Sequence, residues 1–258
     1  MKLYHGTSER IAKLALKDGL LPRSMSGVVS HWEDNPSSES HIYLSTAYAA
    51  YFAMIATDSE QDGRWAILEI DTDKLPDGGA YLVPDEDFLE QVSRGQDLSE
   101  VAEALGGDTE AWSGSMEERT KWFRENLDAF AHLWEDSVER LGNCAHEGLI
   151  PPEAITRVSY VESSKNHLVT MALDPCITLM NYAICGNKYR ALTRWLMGYE
   201  VVATDFLYGG ALQLSNMSPE DAPPEMESFI RHQAAQNAAM EKAISDRAGL
   251  EVTNVLDV

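Results

Sequence analysis

The stretch KLYHGTSERIAKLALKDGLLPR, residues 2–23, decides how this chain is read. Residues 2–5 form a short apolar run, a strand, that ends in a turn at Gly6-Thr7-Ser8. From Ser8 the spacing becomes helical. Ser8 stands as N-cap, Ile11, Leu14 and Ala15 recur on one side, and Gly19 is placed to end the helix. Outward from there, the polar segment from Ser24 to about Ser40 reads as a long loop of the kind that carries function. HIYLS (41–45) is a strand, and TAYAAYFAMIAT (46–57) is a helix with almost no polar face, which predicts burial. RWAILEID (64–71) and AYLVP (80–84) read as further strands. Residues 85–141 read as helical, with Ser99 capping one helix and Ser115 with Glu118 forming a capping box for another. NCAHEGLI (143–150) is a strand broken by Pro151-Pro152, and ITRVSYVE (155–162) is the next.

The order of elements predicts an α+β fold. The expected division is a main domain over 1–175, carrying the helical insertion at about 85–141, and a helical C-terminal extension over 176–258. In that extension KYRALTRWLMGYEV is helical with Trp195 and Leu196 on its apolar side. SPEDAPPE (218–225) reads as an acidic, proline-rich linker and residues 226–249 as an alanine-rich helix. A tail behind such a linker is expected to be dispensable for a site built from the N-terminal motifs.

Composition narrows the function classes. The chain has 258 residues, 44% hydrophobic and 24% charged, enough for a buried core in one large domain or one domain plus an appendage. Twenty basic residues face 42 acidic ones, a formal net charge of −22. That balance argues against direct nucleic-acid binding, which needs Lys and Arg against phosphate, and against an anionic membrane surface. A basic protein partner fits, as does a local basic pocket for an anionic cofactor; charge that serves solubility alone is the alternative. No apolar run reaches the ~18 residues of a membrane span. The N-terminus carries no apolar stretch with a cleavage site, so a cytoplasmic protein is expected. Cys144, Cys176 and Cys185, odd in number and without CxxC spacing, read as reduced core residues. The seven histidines show no metal-binding spacing, and neither a phosphate-binding glycine loop nor a serine-hydrolase elbow is present.

Two short motifs remain. His5 at a strand end, followed by Gly6, offers an imidazole beside an unencumbered backbone, the kind of paired contact a carboxamide needs. Tyr43 offers a ring and a hydroxyl near the end of the second strand, and Tyr51, eight residues on, offers a second aromatic wall for a flat ring. Taken singly each is ordinary: HGT is a common turn, and Tyr48 and Tyr51 at helical spacing suit core packing. The triplet Asp85-Glu86-Asp87 reads as a solvated turn or as a helix start favoured by the dipole.

Together the motifs resemble the ADP-ribosyltransferase superfamily, which includes the poly(ADP-ribose) polymerases, diphtheria-type toxins and RNA 2′-phosphotransferases. The matching residues are His5-Gly6-Thr7, Gly19-Leu20-Leu21-Pro22-Arg23, Tyr43-Leu44-Ser45 and Tyr51. Gly148-Leu149-Ile150-Pro151-Pro152-Glu153-Ala154-Ile155 is similar to the G-x-I-P-P-x-x-I turn of many bacterial and phage members. The resemblance covers roughly residues 2–162. It implies a split mixed sheet and NAD as co-substrate. His5 would bond the adenosine ribose, Gly6 would bond the nicotinamide carboxamide through its backbone, and Tyr43 and Tyr51 would sandwich the nicotinamide ring. Arg23 is the candidate for the phosphates, and Thr7 and Ser45 complete the expected NAD contacts.

The third catalytic residue departs from the pattern. The family's Glu stands at the start of the strand before the Pro-Pro turn, and counting back from that turn reaches Asn143. Alternation puts Asn143, Ala145 and Glu147 on one face, so Glu147 is favoured as the carboxylate, with Asn143 next to it in the site and Glu139 on the preceding helix. The expected activity is NAD-dependent mono-ADP-ribosylation of a protein acceptor, basic or nucleic-acid-binding. The alternatives are a non-catalytic acidic binding protein on the same fold and an RNA 2′-phosphotransferase.

Overall fold

The computed structural model describes residues 1–29, 37–60, 63–93, 115–162, 165, 182–206 and 223–255. The readings on Ser99, Cys176, the middle of the insertion and residues 218–222 lie outside the described residues.

In chain order the elements are β1 (Lys2–Ser8), α1 (Glu9–Asp18), α2 (Arg23–Ser26), β2 (His41–Ser45), α3 (Ala49–Glu60), β3 (Trp65–Asp71), β4 (Leu82–Pro84) and α4 (Glu86–Ser93). There follow α5 (Met116–Glu125), α6 (Trp134–Arg140), β5 (Asn143–Glu147), β6 (Ile155–Val161), α7 (Tyr182–Leu196), α8 (Pro224–Ser245) and β7 (Leu250–Asn254). The fold is mixed α+β. Among the described residues, seven strands run in the order β4-β5-β2-β1-β3-β6-β7. The β1–β2, β2–β5, β4–β5 and β6–β7 pairings are antiparallel. β1 continues through Gly6-Thr7-Ser8, where the sequence suggested a turn; all three are buried, which small side chains permit.

The chain divides into two compact units. The first comprises Met1–His5, Arg10–Thr46 and Glu69–Thr156. Here β2 lies along the whole of β5, with His41 opposite Glu147, Tyr43 opposite Ala145 and Ser45 opposite Asn143. Gly19 ends α1 at φ +90, its amide bonded to the carbonyl of Ala15. Leu20 and Ile150 then exchange backbone hydrogen bonds of 2.8 and 3.0 Å. The Gly19–Arg23 and Gly148–Ile155 motifs, 130 residues apart in sequence, are thus paired at their glycine ends. A Cβ at Gly19 would lie 2.8 Å from the Ile150 carbonyl oxygen, backbone that cannot swing aside, so this junction requires glycine twice over, by conformation and by space. The Ser115–Glu118 capping box forms as the spacing predicts. Behind it, Trp122, Phe123 and Phe130 meet edge to face at 5.7–5.9 Å and anchor this helical part on a buried aromatic cluster.

The second unit comprises Gly6–Glu9, Ala47–Leu68 and Arg157–Val258. α3 is buried along its Ala49, Ala50, Ala53 and Ala56 positions, as its apolar composition predicts. α7 buries Tyr189, Leu192, Trp195 and Leu196, and the Tyr48 and Tyr189 rings lie 5.7 Å apart. Arg64 forms a two-toothed bond with Glu9 and a further bond with Glu251 at 2.9 Å.

The C-terminal segment corrects the sequence reading. Pro224 is the first residue of α8, where proline costs no hydrogen bond, so the proline run ends in a helix start. β7, five residues that the sequence reading left without structure, pairs with β6 from Arg157↔Asn254 to Val161↔Leu250. The Trp195 indole N–H donates to the Ile244 carbonyl at 2.9 Å. The tail is therefore built into the second unit and is not appended to it.

Candidate functional site

Within the first unit, β1 meets β2 at Tyr4↔Ser45. One residue on, the His5 ring takes over: Nδ1 lies 2.9 Å from the Tyr43 carbonyl oxygen. A carbonyl only accepts, so Nδ1 carries the hydrogen and Nε2 is left with its lone pair. Burial pushes the His5 pKa below the usual 6.5, against the opposite pull of the bond to Tyr43. The ring is therefore a neutral imidazole of fixed tautomer at neutral pH.

The half-buried Tyr43 is held at its far end as well. Its hydroxyl donates to Glu86 Oε2 at 2.7 Å and accepts from the Ser38 amide at 2.9 Å. Burial first, then the charges of Glu86 and Asp85, raise its pKa well above 10. Glu86 in turn accepts from Arg124 Nε at 3.3 Å. Arg23 is half-buried, and its guanidinium bonds the carbonyl of Ser37, next to Ser38. Its Nε is buried without a partner. Arg23 thus stabilises the loop that feeds Tyr43.

Asp85 and Glu86 are each only 5% exposed. Of the two sequence readings of this triplet, the helix start holds, because α4 begins at Glu86 with Glu86 and Asp87 in its first turn. The solvated turn does not, because α5 and α6 pack around the end of β4. Asp85 has a pKa well above the ordinary 3.8, through burial first and then the neighbouring Glu86 and Asp87. Its amide bonds Ser137 Oγ at 3.0 Å, and the same hydroxyl donates to the Asn143 carbonyl at 2.8 Å. One buried serine on α6 therefore ties the β4–α4 turn to the start of β5.

Asn143 is 1% exposed, and neither Nδ2 nor Oδ1 of its side chain has a hydrogen-bond partner. Leaving such a group unmet costs about 1–3 kcal/mol, so a buried amide in this state marks a place for a polar ligand or water. By register it stands opposite Ser45 and shares a sheet face with Tyr43 and Glu147. Ser45 uses its hydroxyl on the Gly142 carbonyl at 2.9 Å. Glu147 is half-buried at the opposite end of β5, across from His41. Glu139 is exposed on α6.

The remaining sequence candidates belong to the second unit. Gly6 packs its backbone on α3, where an added Cβ would lie 1.9 Å from the Ala49 carbonyl oxygen. Thr7 is buried, and Tyr51 is half-buried on α3 with its ring edge to face with Phe52 at 5.7 Å. Sequence reasoning named His5, Tyr43 and Asn143 and missed Ser38, Glu86, Arg124 and Ser137. For Glu86 the signal was the acid triplet directly after an apolar strand; for the others none existed.

Compared with known protein families and curated proteins, the chain matches no family model and no curated protein. Among the described residues no helix is long and apolar enough to cross a membrane, and no group of three or more His, Cys, Asp or Glu is placed to hold a metal ion.

Proposed function

We propose that the chain binds NAD as a substrate and transfers its ADP-ribosyl group to a protein acceptor. The observation that carries this reading is the His5–Tyr43 bond. It leaves a neutral imidazole with Nε2 free to accept from a ribose hydroxyl, beside the tyrosine that the resemblance assigns to the nicotinamide ring. The unpartnered Asn143 carboxamide supports it, because one amide can both donate to and accept from a sugar hydroxyl. The net charge of −22 favours a basic acceptor.

In this reading the bond between C1′ of the ribose and the nicotinamide nitrogen breaks. The electron pair leaves with nicotinamide and neutralises its ring. The acceptor's nucleophile bonds C1′ and releases its proton. His5 and Tyr43 hold the two ends of the substrate so that little motion remains before the bond breaks.

A second reading, an acidic binding protein without turnover, draws on Asn143 standing where the family carries an acid. Thermal shift with NAD and nicotinamide release separate the two. NAD binding with release supports the transferase. Binding without release supports the second reading, and no binding rejects the NAD site. His5→Ala is expected to weaken NAD binding by roughly two- to tenfold, the worth of one hydrogen bond. Unchanged affinity would remove His5 from the site.

A further inference from the structure

We propose that Glu86, carried on the turn from β4 into α4, supplies the carboxylate of the site in place of an acid on β5; this rests on the NAD reading above. Four observations converge on it. The residue at the start of β5 is Asn143, whose amide brings no charge. Glu86 is buried, yet its Oε2 meets the hydroxyl of Tyr43 at 2.7 Å. Its other oxygen meets Arg124 at 3.3 Å, so each oxygen retains a lone pair for a further donor. The unpartnered Asn143 side chain stands on the same sheet face as Tyr43, through the Ser45↔Asn143 and Tyr43↔Ala145 pairs.

The neighbouring acids suit the role less well. Asp85 spends Oδ1 on the Asp87 amide at 2.8 Å, and burial raises its pKa, which disfavours its charged form. Glu147 lies four residues beyond Asn143, about 13 Å along the strand at ~3.3 Å per residue. It faces His41 across the opposite end of β2. Ser137 supplies the rigidity a substitute acid needs, because one hydroxyl locks the Asp85 backbone, next to Glu86, onto the Asn143 carbonyl.

Chemically, Glu86 acts as positive charge develops on the ribose. As the C1′–nitrogen bond breaks, the electrons pass to nicotinamide and C1′ is left electron-poor. A carboxylate fixed beside Tyr43 stabilises that charge until the acceptor's nucleophile bonds C1′ and its proton leaves to solvent. Glu86 is not consumed over the cycle.

The test measures NAD affinity by calorimetry and turnover by nicotinamide release, in the native chain and in Glu86→Gln, Glu86→Asp, Glu147→Gln and the exposed control Glu125→Gln. Glu86→Gln is expected to lower turnover by roughly 100-fold or more with NAD affinity within about threefold, the split that marks a transition-state interaction. Glu86→Asp, which keeps the charge but withdraws it, should lose turnover by about tenfold and serves if the glutamine variant fails to fold. Asn143→Glu placed on Glu86→Gln should restore at least part of the loss, which a merely structural role for Glu86 does not predict. Native turnover in both Glu86 variants, or loss confined to Glu147→Gln, overturns the inference while leaving NAD transfer standing. A native chain that binds NAD without releasing nicotinamide, or does not bind it, overturns the transferase reading and this inference with it.

Discussion

A methyl group placed on Gly6 would lie 1.9 Å from the carbonyl oxygen of Ala49, closer than any real contact allows. The glycine of the His-Gly-Thr motif is therefore required by packing: β1 rests its backbone directly on α3. This requirement holds whether or not a ligand also uses the Gly6 backbone.

Gly6→Ala is accordingly expected to destabilise the fold itself. The obstructing atoms are backbone, the Ala49 carbonyl and the Ala53 amide at 2.6 Å, so no side chain can swing aside. Overpacking of this kind costs about 1–3 kcal/mol or more. Urea denaturation of native and variant chains measures it, and equal midpoints would refute the contact.

Asp85→Asn should stabilise the protein by an amount that grows with pH. The folded state raises the Asp85 pKa well above 3.8, so the native chain keeps a proton that the unfolded chain gives up. Below pH 4 both states are protonated and that contribution is fully present. As pH rises through the folded-state value it is lost. Asparagine is permanently neutral and can still accept from the Asp87 amide. Melting temperatures of the two chains from pH 4 to pH 8 should diverge upward; a constant difference counts against a protonated Asp85.

Ser137→Ala removes both ends of one bridge. The Asp85 amide and the Asn143 carbonyl would lose their shared partner inside a closed core. The expected loss is about 1–3 kcal/mol, the cost of buried groups left unmet. If Glu86 acts as proposed, turnover should fall as well, because the turn that carries it loosens. Native stability in Ser137→Ala, read by denaturant titration, would show that the bridge is dispensable.

A chain ending at Pro223 should lose the second unit's cooperative unfolding. It lacks the Ile244 carbonyl that the fully buried Trp195 bonds, and it leaves β6 with the unpaired edge that β7 covers. Tryptophan fluorescence should shift toward that of an exposed indole, and circular dichroism should lose more helix than α8 alone contributes. A truncated chain that melts as the native one does would restore the view of α8 and β7 as an appendage.

Local pattern made the elements legible. Short runs of strand-forming residues marked β2, β3, β5 and β6, the Ser115–Glu118 spacing marked the start of α5, and the alanine-rich apolar run marked α3 as buried. Each of these depends only on residues within a few positions of one another, so the sequence alone determines them. The pairing of Gly19–Arg23 with Gly148–Ile155 was legible only as two motifs; that Leu20 bonds Ile150 is a fact of register. β7 was missed because five half-exposed residues at an edge owe their extended form to β6, some 90 positions away.

The candidate site divides along the same line. His5, Tyr43 and Asn143 could be named from the chain because motif and parity are linear properties. Which atoms of them remain open was decided by the tertiary structure. The Tyr43 carbonyl accepts the His5 Nδ1–H and leaves Nε2 with its lone pair, while the Asn143 amide is enclosed without a partner. The role of Glu86 changed most. In sequence it is the middle of an acidic triplet that reads as a solvated turn or as a helix start. In the fold Ser137 closes the β4–α4 turn onto β5, α5 brings Arg124 against it, and Tyr43 reaches it from a strand more than 40 positions earlier. Burial depends on everything that packs around a residue, and for Glu86 those neighbours come from β2, α5 and α6, which no local window contains.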